Sequence, residues 1–177
     1  LLNDGEALSL LAAGYADKLT ECNQVEVIFG PAYKGIPFVA ATAVALSQNH
    51  GVSVTWGFNR KEAKDHGEGG VLVGAAVEGK KVWIIDDVIT AGTAIREAIT
   101  MIEAADADVA AVAIGLDRQE RGRGELSAIQ ELEQERQLQV ISIVGLADII
   151  EYLRSAANDP ALLSRVSDYR TQYGVTL

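Results

Sequence analysis

A single cysteine, Cys22, excludes an intrachain disulfide, and with only two histidines beside it the chain has no donor set for a protein-built zinc site. A reducing, cytoplasmic setting is expected. Long apolar runs are missing too: the longest, residues 38–46 and 109–116, fall far short of the ~20 residues that a membrane-spanning helix needs. No membrane partner is expected. The first residues have no basic stretch leading into an apolar one, so no export signal is expected, and a starting Leu1 fits an incomplete N-terminus. Positive charge is scarce, with 15 Lys and Arg against 25 Asp and Glu and a net charge of -10. This balance argues against nucleic acid as a partner, because phosphate-backbone affinity comes from clustered cations releasing counterions. One local exception exists. Arg60, Lys61 and Lys64 crowd together beside His66, diluted by Glu62, Asp65 and Glu68, a mixture suited to a small anion rather than a duplex.

The composition is otherwise that of a folded chain: 177 residues, 49% apolar and 23% charged, enough for one domain spanning 1–177. Leu8, Leu11, Ala12, Tyr15 and Leu19 share one helical face behind Asp4, a good N-cap. Strands are expected at residues 25–29, 52–58, 71–77, 81–85, 109–116 and 139–144, with helices at 35–48, 93–105 and 125–136. Two helices close the chain, the second opened by Asp159 and Pro160. His50, before Gly51, reads as a helix-end capping group. Alternating strands and helices imply an α/β fold, a central mostly parallel sheet covered on both faces. Residues 59–70 carry charges and three glycines with no repeated apolar face, and read as a long loop.

Three segments carry chemistry. Val82, Trp83, Ile84 and Ile85 fill a buried strand, so Asp86 and Asp87 emerge at its C-terminal end, where open α/β sheets bind ligands. Val88, Ile89, Thr90, Ala91, Gly92, Thr93 and Ala94 follow, small enough at 90–94 for backbone N–H groups to wrap a phosphate at a helix start. The two acids are suited to vicinal hydroxyls or a hydrated Mg²⁺. A pair of acids ending a strand before an ordinary helix is the bland alternative. The stretch from Gly74 to Lys80 has the glycine and lysine spacing of a Walker A loop, but Lys81 stands where Ser or Thr is needed and a strand follows. The second segment, Phe29-Gly30-Pro31-Ala32-Tyr33-Lys34-Gly35-Ile36-Pro37, combines glycines that permit close backbone approach with a cation, or is simply a turn with Lys34 as a solvated charge. In the third, Asp117-Arg118-Gln119-Glu120-Arg121, a guanidinium can take a planar carboxylate bidentately or simply pair with a neighbouring acid.

The string Val82 to Ala94 is similar to the signature of the type I phosphoribosyltransferases, Phe29 to Pro37 and Asn59 to Gly70 resemble the orotate phosphoribosyltransferase branch, and the resemblance covers essentially the whole chain. The resemblance implies the type I phosphoribosyltransferase fold, with a mobile catalytic loop, and transfer of phosphoribose from 5-phosphoribosyl 1-diphosphate (PRPP) to orotate. It implies that Asp86 and Asp87 hold the ribose, that Val88 and Ile89 belong to the PRPP site, that Thr90 to Ala94 hold the 5′-phosphate, and that Tyr33 and Lys34 hold the diphosphate. Lys64 is implied as the principal catalytic residue, assisted by Arg60, Lys61 and His66, while Thr90 and Arg118 meet orotate. Mg²⁺ would ride mainly on PRPP and water oxygens. A homodimer with the loop given in trans is implied, and a non-proline cis peptide between Ala32 and Tyr33. The family also begins with a segment carrying a PRPP-binding lysine and two aromatic residues near orotate, which is expected to lie outside this sequence. A transferase for another base and a PRPP-sensing regulator of the same fold are the alternatives.

Overall fold

The computed structural model describes residues 3–22, 25–64, 70–122, 124–157 and 159–175. Asp4 accepts a 2.8 Å bond from the Ala7 amide and opens α1 (Gly5–Thr20), as its position ahead of the apolar face predicts. The chain continues through β1 (Val27–Gly30), α2 (Gly35–His50), β2 (Thr55–Lys64), β3 (Gly70–Gly74), β4 (Lys81–Asp86), α3 (Thr93–Glu103) and β5 (Asp108–Asp117). It ends with α4 (Ala128–Arg136), β6 (Gln139–Gly145), α5 (Leu146–Ser155) and α6 (Pro160–Tyr173), the last capped by Asp159. No helix among the described residues is long and apolar enough to cross a membrane.

The strands form one sheet in the order β3-β2-β1-β4-β5-β6, parallel except for β3 at one edge. Alternation along the central strands sorts the core into two layers. Val27, Phe29 and Ile84 pack with Ile95, Ile99, Ile102 and Leu132 from α3 and α4. Ile28, Trp83 and Ile85 pack on the other face with Tyr15, Leu19, Phe38 and Leu46 from α1 and α2. Each such fully buried side chain contributes about 1.5–3 kcal/mol of transfer free energy. Successive strands run one way from β1 to β2 and the other way from β4 to β6, so the strand order reverses between β1 and β4. Their C-terminal ends flank the crevice where such sheets take ligands.

Three expectations need correction. Residues 59–64 are not loop: β2 runs on to Lys64, and Asn59 pairs with Leu72 and Lys64 with Gly70 across an irregular register. Main-chain pairing with an edge strand needs no apolar alternation, which is why the charged sequence hid it. The helix expected from residue 125 starts at Ala128, because Ser127 and Gln130 form a reciprocal capping box. His50 does not cap its helix. Its Nε2 lies 2.9 Å from Asp17 Oδ1 on α1, and Gly51, with φ +66°, makes the C-cap.

Candidate active site

Four buried apolar residues carry β4 to the crevice and bring Asp86 and Asp87 out half-buried at its edge. Both carbonyls behind them are fixed. The Tyr15 hydroxyl, wholly buried on α1, donates to the Asp86 carbonyl at 2.5 Å. The Gly115 and Leu116 amides of β5 donate to the Asp87 carbonyl at 2.9 and 3.1 Å. Gly115 leaves room for this crossing, since a Cβ there would stand 3.1 Å from the Asp87 carbonyl oxygen and 3.2 Å from the Tyr15 hydroxyl. Burial, with the charges of Asp86 and Asp87 adding to it, pushes the Tyr15 hydroxyl well above the ordinary tyrosine range, so it stays a donor. The Asp87 amide donates to Asp86 Oδ1 and the Val88 amide to Asp87 Oδ1, both at 2.9 Å. Burial also pushes the Asp86 carboxyl up to about 6, with the Asp87 charge adding to the rise and the Asp87 amide and Lys34 opposing it.

Beyond the acids, Thr90, Ala91, Thr93 and Ala94 are exposed, while Gly92 is buried at φ +72° and leads into α3 with no side-chain cap on its first amides. Those amides are free for an anion. Arg96, one turn into α3, donates from Nη1 to the Ala91 carbonyl at 2.8 Å and from Nε to Glu135 at 2.9 Å, and so pins the loop. Ile89 turns into the core and has only its backbone to offer.

The loop after β1 is compressed. A Cβ on Gly30 would fall 2.2 Å from the Gly35 carbonyl oxygen, and the Gly35 amide donates to the Pro31 carbonyl at 2.9 Å. The Ala32–Tyr33 peptide bond is cis, at the position the family resemblance implies. Asn59, buried on β2, accepts the Ala32 amide at 2.9 Å. Lys34 extends over the crevice to within 3.1 Å of Asp87 Oδ2. Tyr33 is exposed, with the Lys61 ammonium 5.1 Å from its ring centroid. Arg60 and Lys61 on β2 line a cleft of about 730 Å³ together with Ala32, Asn59 and Arg96. Of Lys64 only its backbone place at the end of β2 is described, and His66 lies outside the described residues.

Arg118 follows β5 and pairs with Glu120 at 3.3 Å. It shares with Thr90 a recess of about 40 Å³, room for a carboxylate or the edge of a ring. Its Nε is buried without a partner among the described residues.

The expected residues that are described therefore come from the ends of β1, β4 and β5, from β2 through Arg60 and Lys61, and from the start of α3. Tyr15, Asn59 and Arg96 were not singled out from sequence for the parts they play here. Arg96 was the most accessible of these, a cation one helical turn beyond Gly92, whereas the bonds of Tyr15 and Asn59 span 71 and 27 positions and leave no local signal.

A phosphoribosyl transferase domain model matches residues 2–146. An orotate phosphoribosyltransferase of Acinetobacter baumannii (strain ACICU) is 68% identical over 175 residues, covering 99% of this chain and 81% of the relative. That of Thioalkalivibrio sulfidiphilus is 55% identical over 176 residues, covering 99% and 82%. The crystal structure of orotate phosphoribosyltransferase from Francisella tularensis superposes with a TM-score of 0.86 at 35% identity, over 98% of this chain and 83% of that one. Sequence and fold agree, and the chain belongs to the orotate phosphoribosyltransferases of the phosphoribosyl transferase family.

Proposed function

We propose that this chain transfers the phosphoribosyl group of PRPP to orotate, giving orotidine 5′-monophosphate and diphosphate for pyrimidine synthesis in the cytoplasm. The observation that carries the reading is the meeting of two strand ends at the switch point, with Lys34 of the β1 loop 3.1 Å from Asp87 at the end of β4. Asp86 and Asp87 accept the ribose hydroxyls, the amides at Thr90 to Ala94 take the 5′-phosphate, and Tyr33 and Lys34 take the diphosphate. Thr90 and Arg118 hold orotate by its planar edge, the guanidinium meeting its carboxylate.

In this reading the bond between the anomeric carbon and diphosphate breaks with its electron pair leaving on diphosphate, and a ring nitrogen of orotate forms the new bond while its proton passes to the departing diphosphate. Positive charge builds on the ribose and negative charge on the departing group. No enzymic nucleophile takes part, so rate comes from alignment and from fixed cations at the leaving group. Lys64 supplies the main cation, with Arg60, Lys61 and His66 beside it. This basic stretch serves the neighbouring subunit of a homodimer.

The donor set fits Mg²⁺: Asp86 and Asp87 offer hard oxygen acceptors, half open to water, that can orient a hydrated ion through its waters. When bound, the ion would neutralise phosphate charge, with PRPP and water oxygens expected as most of its ligands.

The test is a spectrophotometric assay with PRPP and Mg²⁺ against orotate, adenine and hypoxanthine in parallel. Orotate absorbance should disappear while the purines are left unchanged. Turnover of a purine with orotate untouched would overturn the reading.

A further inference from the structure

We propose that Tyr169, on the C-terminal helix α6, is a positioning residue for Arg118 and so helps to set the affinity for the accepting base. This rests on the reading of Arg118 as the group that meets orotate.

One carboxylate connects the two. Glu120 accepts a hydrogen bond from the Tyr169 hydroxyl on Oε1 and holds the Arg118 guanidinium on Oε2 at 3.3 Å. With both oxygens occupied, the carboxylate plane is fixed from outside the site, and the Arg118 edge that it holds is fixed in turn. The hydrogen bond to Glu120 raises the Tyr169 hydroxyl above the ordinary tyrosine range, keeping it a donor. Its ring is held against Tyr173, with centroids 4.9 Å apart.

The backbone of this loop is secured separately. The Arg121 amide donates to the Tyr173 carbonyl and the Val175 amide to the Gln119 carbonyl, each at 2.9 Å, and Arg121 Nη2 donates to the Gln172 carbonyl at 2.6 Å. On its other side Gln119 Oε1 accepts the Ala147 amide at 3.1 Å. These bonds place the loop without Tyr169, so its hydroxyl is left to orient the carboxylate that orients Arg118. The Nε of Arg118, buried and without a partner among the described residues, accords with a guanidinium held for a ligand.

The experiment is steady-state kinetics and thermal melting of Tyr169→Phe, Glu120→Gln, Arg118→Ala and the Tyr169→Phe/Arg118→Ala double variant. Tyr169→Phe should raise the KM for orotate by about threefold to tenfold, the scale of one hydrogen bond to a charged group acting at one remove. The KM for PRPP and the melting temperature should stay as they are. Glu120→Gln, which cannot accept on both sides at once, should do the same, and in the Arg118→Ala background the Tyr169 change should add nothing. If Arg118→Ala raises the orotate KM but neither Tyr169→Phe nor Glu120→Gln does, the positioning role is wrong while the reading of Arg118 stands. An orotate KM unmoved by Arg118→Ala would remove both. An undiminished Tyr169 effect without Arg118, or one that moves both KM values and the melting temperature together, would show an ordinary structural role and overturn the proposal.

Discussion

Lys34 and Asp87, 53 positions apart, meet at 3.1 Å across the point where the sheet reverses its strand order. The Lys34 side chain is 76% exposed, so the pair contributes little to stability, about 0–1 kcal/mol. Its meaning is positional: the cation stands beside the acid pair, and in the proposed function it exchanges the carboxylate for an incoming diphosphate at small cost. Lys34→Gln should therefore lower kcat/KM for PRPP by about 10- to 100-fold, the scale of one charge-assisted hydrogen bond, with little change in melting temperature. A kcat/KM for PRPP equal to that of the unaltered chain would remove Lys34 from the diphosphate site.

Asp86 is expected to trade stability for binding. In the folded chain it takes up its proton at about 6, against 3.8 ordinarily, so between those values the folded state holds a proton that the unfolded state has released. Stability then falls as pH rises through this window, and the penalty is complete above it. Asp86→Asn keeps the oxygen that accepts the Asp87 amide and removes the charge. At about pH 7.5 the variant should be more stable by on the order of 1 kcal/mol after allowance for solvent screening, or about 2–4 °C in Tm. Below about pH 4 the difference should vanish, because both forms are then neutral. Melting curves at the two pH values check the sign; a variant less stable at the higher pH would contradict it.

Gly30 has no room for a side chain, since the Gly35 carbonyl oxygen would stand 2.2 Å from its Cβ. Gly30→Ala must displace the loop that carries Tyr33 and Lys34. Its KM for PRPP should rise by at least about tenfold, the loss of one charge-assisted contact, while the apolar core remains folded by circular dichroism. An unchanged KM would mean that this loop does not hold PRPP.

The proposed exchange of the basic stretch between subunits has its own test. A Lys64→Ala chain mixed with an Asp86→Asn/Asp87→Asn chain should regain activity, because a hybrid dimer with loops acting in trans has one site with both lesions and one intact site. A mixture with verified subunit exchange that stays as inactive as its parents would contradict the trans arrangement.

The sequence made some of these relations legible and hid others, for physical reasons. Val82 to Ile85 announced a buried strand by apolarity alone, and the acids after it could only emerge at its end. Asp4, Asp159 and Pro160 marked helix starts through local chemistry that acts within one turn. The continuation of β2 to Lys64 was hidden because the pairing rests on main-chain groups, to which side-chain patterns are blind. Long-range bonds were hidden as well. Nothing near Tyr15 indicates that its hydroxyl ends at Asp86, and nothing near Glu120 indicates Tyr169. The roles of Thr90 and Arg118 rest on resemblance rather than on pattern, since a guanidinium beside acids reads equally well as a surface ion pair.

The central claim is that the acid pair at the end of β4 holds the ribose of PRPP. Isothermal titration of PRPP into the unaltered protein and into Asp86→Asn/Asp87→Asn tests it most directly, with circular dichroism confirming that both are folded. The account predicts binding to the unaltered chain and a loss of about 100-fold or more in the double variant, the scale of two hydrogen bonds to charged acceptors. Equal affinity in the two proteins would contradict it.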